Sequence, residues 1–165
     1  MHPLFHPLFT QFITYFNEHE DYFECHEVLE EYWKEIAPKD KTHPLTAWIL
    51  LATGMYHWRR GNFSGAKRSL SKSIDRIRMN EKSVFFEGVH LQEVMKNIQH
   101  ALEFANLEKS FEAFKIQIIS QRLKDVIDTQ PALVPLTGDH LIHKHMLRDR
   151  SEILKAREEK RRNRH

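Results

Sequence analysis

The sequence has one cysteine, Cys25, and few helix-breaking residues, with 5 glycines and 6 prolines among 165 residues. A single cysteine cannot form an intrachain disulfide, and it cannot build a thiolate metal site without other ligands. The scarcity of glycine and proline, together with 41% hydrophobic residues, excludes a collagen-like, low-complexity or disordered chain. Cys25 is therefore predicted to be a small core residue and not a nucleophile.

Long apolar segments are also missing. No window approaches the roughly 18 uninterrupted apolar residues needed to cross a bilayer, and the first residues lack the basic and then apolar pattern of a secretory signal. We therefore expect a soluble cytoplasmic protein with no membrane partner. A chain of 165 residues buries roughly two-thirds of its unfolded surface on folding, so we expect one domain with one core.

Charge is balanced overall but segregated along the chain. Residues 140–165 carry nine Lys and Arg against four Asp and Glu, a net charge of +5, and subtracting this from the overall +2 leaves −3 for the rest. Within residues 18–35 the only base is Lys34, and the acidic residues there are Glu18, Glu20, Asp21, Glu24, Glu27, Glu30, Glu31 and Glu35. The average charge therefore conceals an acidic first helix and a basic tail.

Apolar residues recur at helical spacing along most of the chain. A stripe through residues 17–36 predicts the first helix, and Pro38 ends it. Residues 45–58 are apolar on nearly every side, which places a second helix at the centre of a bundle, with Pro44 in its first turn. Gly54 within that helix predicts close approach of a neighbouring backbone, and we expect the first helix to be that neighbour.

The second half of the chain continues this pattern with one exception. Gly61 and Asn62 separate the second helix from a third over residues 63–77, and so short a turn makes the two antiparallel neighbours. A fourth helix is predicted over 89–104. The alternating isoleucines of 111–119 favour an extended apolar segment. The sequence thus predicts an all-α bundle over residues 1–128, including a short helix at 120–128, then a loop at 129–139 and a basic, initially helical tail at 140–165.

Two blocks of residues carry a family resemblance. The first is the run DYFECHEVLEEYW at residues 21–33, and the second is YHWRRGNFSGA at residues 56–66. In this order they resemble the prokaryotic family catalogued as domain of unknown function 309, over about residues 10–128. The resemblance implies a small all-α fold and no assigned activity, and it leaves the basic tail outside the shared core.

The first block offers a cluster of polar side chains. His26 and Glu30 lie four residues apart on one helix face, and Glu27 lies next to His26. Such a set can bind a divalent metal or act as a base with an orienting acid. The second block supplies His57 and Arg60, so the candidate functional cluster is His26, Glu27, Glu30, Trp33, His57 and Arg60, with His26, Glu30 and His57 as candidate metal ligands.

A structural interpretation competes with this one. His26 and Glu30 can also bond to each other and to an arginine across the helix interface, which would set the helix register without any ligand. The spacing of a di-iron site is missing, because the residues three before His26 and His57 are Phe23 and Gly54. The metalloprotease motif is missing as well, because Glu30 occupies the position of its second histidine.

The turn between the second and third helices is a candidate anion site. Free amides at a helix start and nearby bases can bind phosphate, and the residues concerned are Arg59, Arg60, Gly61, Asn62 and Lys67. The alternative is a purely structural helical-hairpin turn.

We predict from these observations a non-enzymatic binding or interaction module whose partner is an unidentified protein or small ligand. One alternative is a metal- or small-ligand-binding protein or enzyme that uses His26, Glu27, Glu30 and His57, with a divalent metal as cofactor. Another is association with nucleic acid through the phosphate contacts of the tail at 140–165. That tail has no aromatic residues for base stacking.

Overall fold

A computed structural model describes residues 2–133. Within this range the chain forms six α-helices, and no strand is present. The helices are α1 (Pro7–Thr14), α2 (Tyr22–Ile36), α3 (Pro44–Arg59), α4 (Phe63–Met79), α5 (Leu91–Asn106) and α6 (Gln121–Thr129). Two 3-10 turns lie at Pro3–Phe5 and Val84–Phe86, and a π-helical segment lies at Tyr15–His19. The predicted all-α fold is confirmed.

Histidines begin several of these helices. His6, His43 and His90 precede α1, α3 and α5, and each accepts a hydrogen bond at Nδ1 from a backbone N–H of the first turn, at 3.1–3.2 Å. His2 caps the first 3-10 turn in the same way, at 3.2 Å. The ring nitrogen here replaces the side-chain oxygen of the usual capping residues. Four of the 12 histidines therefore serve the fold.

The N-terminal region differs from the prediction of one helix over 17–36. Residues 7–19 form α1 and the π-helical segment, and α2 begins only at Tyr22. Glu20 separates them with a left-handed φ of 52°. The Asp21 carboxylate then accepts a hydrogen bond from the Glu24 N–H at 3.1 Å. Asp21 therefore starts a new helix, because a capping carboxylate satisfies an amide that the preceding helix leaves free.

α3 lies between α2 and α4 at the centre of the molecule, as its apolar sequence predicts. Trp48 of α3 is fully buried among aromatic rings of the N-terminal region and the Val84–Phe86 turn. The predicted close approach at Gly54 is present, but the predicted neighbouring helix is wrong. A Cβ at Gly54 would lie 2.7 Å from Leu70 Cγ and 3.2 Å from the Leu70 backbone nitrogen, so the close neighbour is α4 and not the first predicted helix.

The predicted extended segment follows α5 and lies along the bundle. Asn17 holds it with a pair of hydrogen bonds to the backbone of Ile116, at 2.9 Å and 2.7 Å. An isolated antiparallel bridge joins Val89 to Ile118. The indole of Trp58 also donates to the Lys109 carbonyl at 2.9 Å. These contacts satisfy backbone groups that have no helical partner, as buried or half-buried backbone requires.

Cys25 is fully buried, as predicted, and burial raises the pKa of its thiol well above the usual value. In the described part of the chain, no helix combines the length and apolar character needed to span a membrane. The predictions of a basic helical tail at 140–165 and of most of the loop at 129–139 fall outside the described residues.

Candidate functional site

The two sequence blocks meet at a pocket between α2 and α3. The pocket has a volume of about 90 Å³, and its walls are Tyr22, Phe23 and His26 of α2 and Thr53, Tyr56 and His57 of α3. Three aromatic side chains and three polar side chains therefore surround one small space. This combination of apolar walls and a few convergent polar groups is typical of ligand-binding pockets.

His26 lies between two carboxylates. Its Nδ1 is 3.5 Å from Glu27 Oε1, and its Nε2 is 3.5 Å from Glu30 Oε2. Lys34 Nζ also lies 2.7 Å from the other oxygen of Glu30. One ligand atom from each of His26, Glu27 and Glu30 can be chosen so that all three lie within 4.8 Å of one another. Nitrogen and oxygen ligands at this separation suit a divalent cation such as zinc.

His57 lines the same pocket from α3, and its contact with Asn62 sets its tautomer. The Gly65 N–H donates to Asn62 Oδ1 at 3.0 Å, which leaves Asn62 Nδ2 as the atom 3.2 Å from His57 Nδ1. Because Nδ2 has only hydrogens to offer, His57 Nδ1 is the acceptor and the ring proton lies on Nε2. Metal-bound histidines have the opposite arrangement, in which the second nitrogen donates to its neighbour.

Tyr22 contributes a buried hydroxyl to this region. The side chain is 0% exposed, and its hydroxyl has no hydrogen-bond partner among the described residues. Burial raises the pKa of this phenol far above its usual value, and the charge of Glu20 adds to the effect. A buried polar group without a partner costs about 1–3 kcal/mol, so this hydroxyl calls for an explanation.

The two arginines of the second block lie against aromatic side chains of the pocket. The Arg59 guanidinium carbon is 4.8 Å from the centre of the Tyr22 ring, and Arg59 Nη1 donates to the Glu20 carbonyl at 2.7 Å. The Arg60 guanidinium carbon is 5.2 Å from the centre of the Tyr56 ring. Both distances fall in the range of cation–π interactions. Arg60 thus reaches the pocket region through Tyr56, although it does not line the pocket itself.

The predicted anion site is arranged as a helical-hairpin turn. Gly61 has a left-handed φ of 80°, a conformation that favours glycine. Asn62 caps α4, and Arg59 extends towards the start of α2. Lys67 lies half-buried one turn into α4. A shared anion position for these five residues remains a prediction.

Trp33 lies outside the pocket. Its indole N–H donates to the Asp40 carbonyl at 2.9 Å and so fastens the loop that follows α2. This bond gives Trp33 a structural role in the first block, because it holds the chain between α2 and α3.

An acidic depression lies beside the pocket on the outer surface of α2. Its volume is about 510 Å³, and its walls are Glu24, Glu27, Val28, Glu30, Glu31 and Lys34. His26 connects the two features, because it lines the pocket and contacts Glu27 and Glu30 of the depression. Four carboxylates against one ammonium group make this surface attractive to cationic groups.

Four residues of the pocket were not among the predicted site residues, namely Tyr22, Phe23, Thr53 and Tyr56. A signal for them exists in the spacing, because Tyr22 precedes His26 by four residues and Thr53 precedes His57 by four. Residues four apart share a helix face, so each pair extends the face of its histidine. For Tyr22 and Tyr56, however, the apolar neighbours in the sequence predict ordinary packing in the core and not a place in a binding site.

The fold and the site together define a small all-α protein in which two neighbouring helices enclose an aromatic pocket next to an acidic surface. The chain belongs to the family described as Domain of unknown function (DUF309), whose model matches residues 9–69. The matched range runs from α1 to the first half of α4 and so contains all six residues of the pocket.

A full-length relative supports this membership. The uncharacterized protein YpuF of Bacillus subtilis (strain 168) is 35% identical over 163 residues, and the match covers 91% of each chain. The likeness therefore extends well beyond the residues matched by the family model. No solved structure matches the chain. Neither the family description nor the name of the relative assigns an activity.

Proposed function

We propose that this protein is a non-enzymatic binding module whose ligand site is the pocket between α2 and α3. The observation that supports the proposal is the convergence of His26, Thr53 and His57 on one space of about 90 Å³ with aromatic walls. A pocket of this size accommodates one end group of a ligand and not a whole cofactor, since ordinary ligand pockets measure about 300–1,000 Å³. The acidic depression beside it offers a surface for the rest of the ligand.

The test is an NMR titration of the ¹⁵N-labelled protein with small organic probes of up to six heavy atoms. We expect saturable shifts of the Thr53, Tyr56 and His57 amide signals. Thr53→Leu fills the pocket and should abolish these shifts, whereas Ser71→Leu on the exposed face of α4 should preserve them. If no probe shifts these signals in the unaltered protein, the proposal is wrong.

Metal binding is a second candidate function, because His26, Glu27 and Glu30 present ligand atoms within 4.8 Å of one another. Zinc titration followed by calorimetry tests it. If the site binds metal, one equivalent should bind to the unaltered protein and none to His26→Ala. His100→Ala removes an exposed histidine of α5 and should leave the stoichiometry unchanged. Equal binding by all three proteins would refute this second candidate.

The proposal places the protein in the cytoplasm. Its support is the single cysteine, which is a buried free thiol and is compatible with a reducing compartment.

A further inference from the structure

We propose that a groove between α1, α6 and the extended segment after α5 binds residues 134–137 of the same chain. This isoleucine groove has a volume of about 440 Å³. It shares no residue with the pocket between α2 and α3, so the two sites are separate. Its walls include Ile13, Asn17, Ile116, Ile118, Lys124 and Ile127.

One wall of the groove is an open edge of the extended segment. An antiparallel bridge joins Ile118 to Val89, and its hydrogen bonds are made by the residues on either side of this pair. In such a pair, the backbone N–H and C=O groups of each residue point away from the other residue. Among residues 2–133, the N–H and C=O of Ile118 have no hydrogen-bond partner. Proteins commonly cover edges of this kind, because an open edge can pair with another chain.

Asn17 shows which side of the extended segment is open. Its side-chain amide bonds both the N–H and the C=O of Ile116, at 2.7 Å and 2.9 Å, as a residue of a paired strand does. Ile116 and Ile118 are two residues apart, so their backbone groups point to the same edge. Asn17 lines the groove and Val89 does not. The open groups of Ile118 are therefore on the groove side.

The described part of the chain ends beside this groove. Ile127 of α6 is a wall residue, and the Gln130 side-chain amide donates to the Thr10 carbonyl of α1 at 3.3 Å. Leu133 is half-buried. Four extended residues after Gln130 span about 13 Å, whereas the chain rises only about 9 Å from Lys124 to Gln130. The chain beyond Leu133 is therefore long enough to return along α6 into the groove.

The sequence of residues 134–137, Val-Pro-Leu-Thr, suits this position. A residue before proline is restricted to extended conformations, which applies to Val134. Val134 and Leu136 are two residues apart, so in an extended chain their side chains share one face and their backbone groups share one edge. Either residue can pair with Ile118. The missing N–H of Pro135 then belongs to the opposite edge, which is where an edge strand tolerates proline.

The groove also has the size and the apolar character that these side chains need. A cavity of about 150 Å³ holds benzene, and the groove is about three times as large. Ile13 and Ile116 are 2% and 1% exposed and give the groove an apolar floor. Transfer of the Val134 and Leu136 side chains from water to this floor is favourable.

The experiment is NMR spectroscopy of the full-length chain with labelled amides and methyl groups. We expect nuclear Overhauser contacts from the methyl groups of Val134 or Leu136 to those of Ile118 or Ile127. The Ile118 amide should be protected from hydrogen exchange. Combining Val134→Asp with Leu136→Asp should accelerate exchange of this amide about tenfold, the effect of losing about one hydrogen bond. The matched control Leu141→Asp lies outside residues 134–137 and should leave the exchange unchanged.

Three results would overturn the proposal. The first is an Ile118 amide that exchanges as fast as one in an unstructured peptide. The second is an unchanged exchange rate in the double variant, or equal acceleration by Leu141→Asp. The third comes from a mixture of ¹³C-labelled and ¹⁵N-labelled chains, because contacts found only between chains would assign the groove to a second copy. Contacts within one chain support the proposal.

Discussion

Replacing Tyr22 by phenylalanine should make the protein more stable. In the unliganded protein the Tyr22 hydroxyl is buried and has no hydrogen-bond partner among the described residues. Such a group costs about 1–3 kcal/mol on folding. Phenylalanine removes the hydroxyl but keeps the ring, so the contact with Arg59 at 4.8 Å is retained.

The free energy of unfolding should therefore rise by about 1 kcal/mol. This is the lower end of the range for a buried polar group without a partner, because the residues around the ring can relax. For a chain of this length, such a gain raises the melting temperature by about 2–4 °C. The matched variant Tyr32→Phe should have the opposite effect. The Tyr32 hydroxyl donates to the Pro3 carbonyl at 2.8 Å, and its loss should cost about 1 kcal/mol.

The measurement is guanidinium denaturation followed by tryptophan fluorescence, which reports on the buried Trp48 and Trp58. Stability differences are taken from the transition midpoint at an unchanged slope. If Tyr22→Phe lowers the free energy of unfolding by 1 kcal/mol or more, in the manner of Tyr32→Phe, the hydroxyl has a partner. The description of Tyr22 as a buried hydroxyl without a partner would then be wrong.

Alkaline pH provides a second measurement of the same hydroxyl. Burial raises the pKa of Tyr22 above the value of 10.0 that tyrosine has in an unfolded chain. The neutral folded form is therefore favoured, and its stabilisation is complete below pH 10 and is lost as the pH rises towards the folded-state pKa. Above pH 10 the unaltered protein should lose up to about 1.4 kcal/mol per pH unit from this group. Tyr22→Phe should lack that part of the pH dependence.

Three further substitutions test the packing and the helix starts. Gly54→Ala places a Cβ 2.7 Å from Leu70 Cγ and should destabilise the protein by about 1–3 kcal/mol through overcrowding; an unchanged melting temperature would contradict the close contact of α3 and α4. Asn17→Ala removes both hydrogen bonds to the Ile116 backbone and should cost about 1–3 kcal/mol, with faster amide exchange at Ile116 as the specific readout. Burial lowers the pKa of His43 below its usual 6.5, so the stabilisation by its neutral, capping form is present above pH 6.5 and is lost as the pH falls towards the folded-state pKa. His43→Asn keeps a capping acceptor and should remove this acid sensitivity in thermal melts, and an unchanged pH profile would refute the role assigned to His43.

The residues of α3 show how much of the fold the sequence predicts. Its apolar character on nearly every side indicates a central position, and Pro44 and Gly61 mark its ends. These are local signals, because a helix that presents apolar residues in all directions must be surrounded. The partner of Gly54 was not predictable in the same way. A glycine indicates close approach but not the identity of the helix that approaches.

The N-terminal region shows a different limit. Phe9, Phe12 and Phe16 have helical spacing, and the pattern continues without an obvious break into α2. The break at Glu20 depends on the Asp21 carboxylate, which starts α2 by accepting the Glu24 N–H. A capping residue in the middle of a helical pattern competes with continuation of the helix, and tertiary packing decides between the two.

The sequence alone determined the all-α class, the central position of α3 and the extended segment after α5. These properties follow from periodicity, turn residues and charge, which act over a few residues along the chain. Only the tertiary structure decided that the Tyr22 hydroxyl is buried without a hydrogen-bond partner among residues 2–133, that Asn62 sets the tautomer of His57, and that Arg59 and Arg60 lie against the pocket rings. Hydrogen bonding and burial depend on groups far apart in sequence, so the chemistry of the pocket appears only when α2 and α3 are in contact.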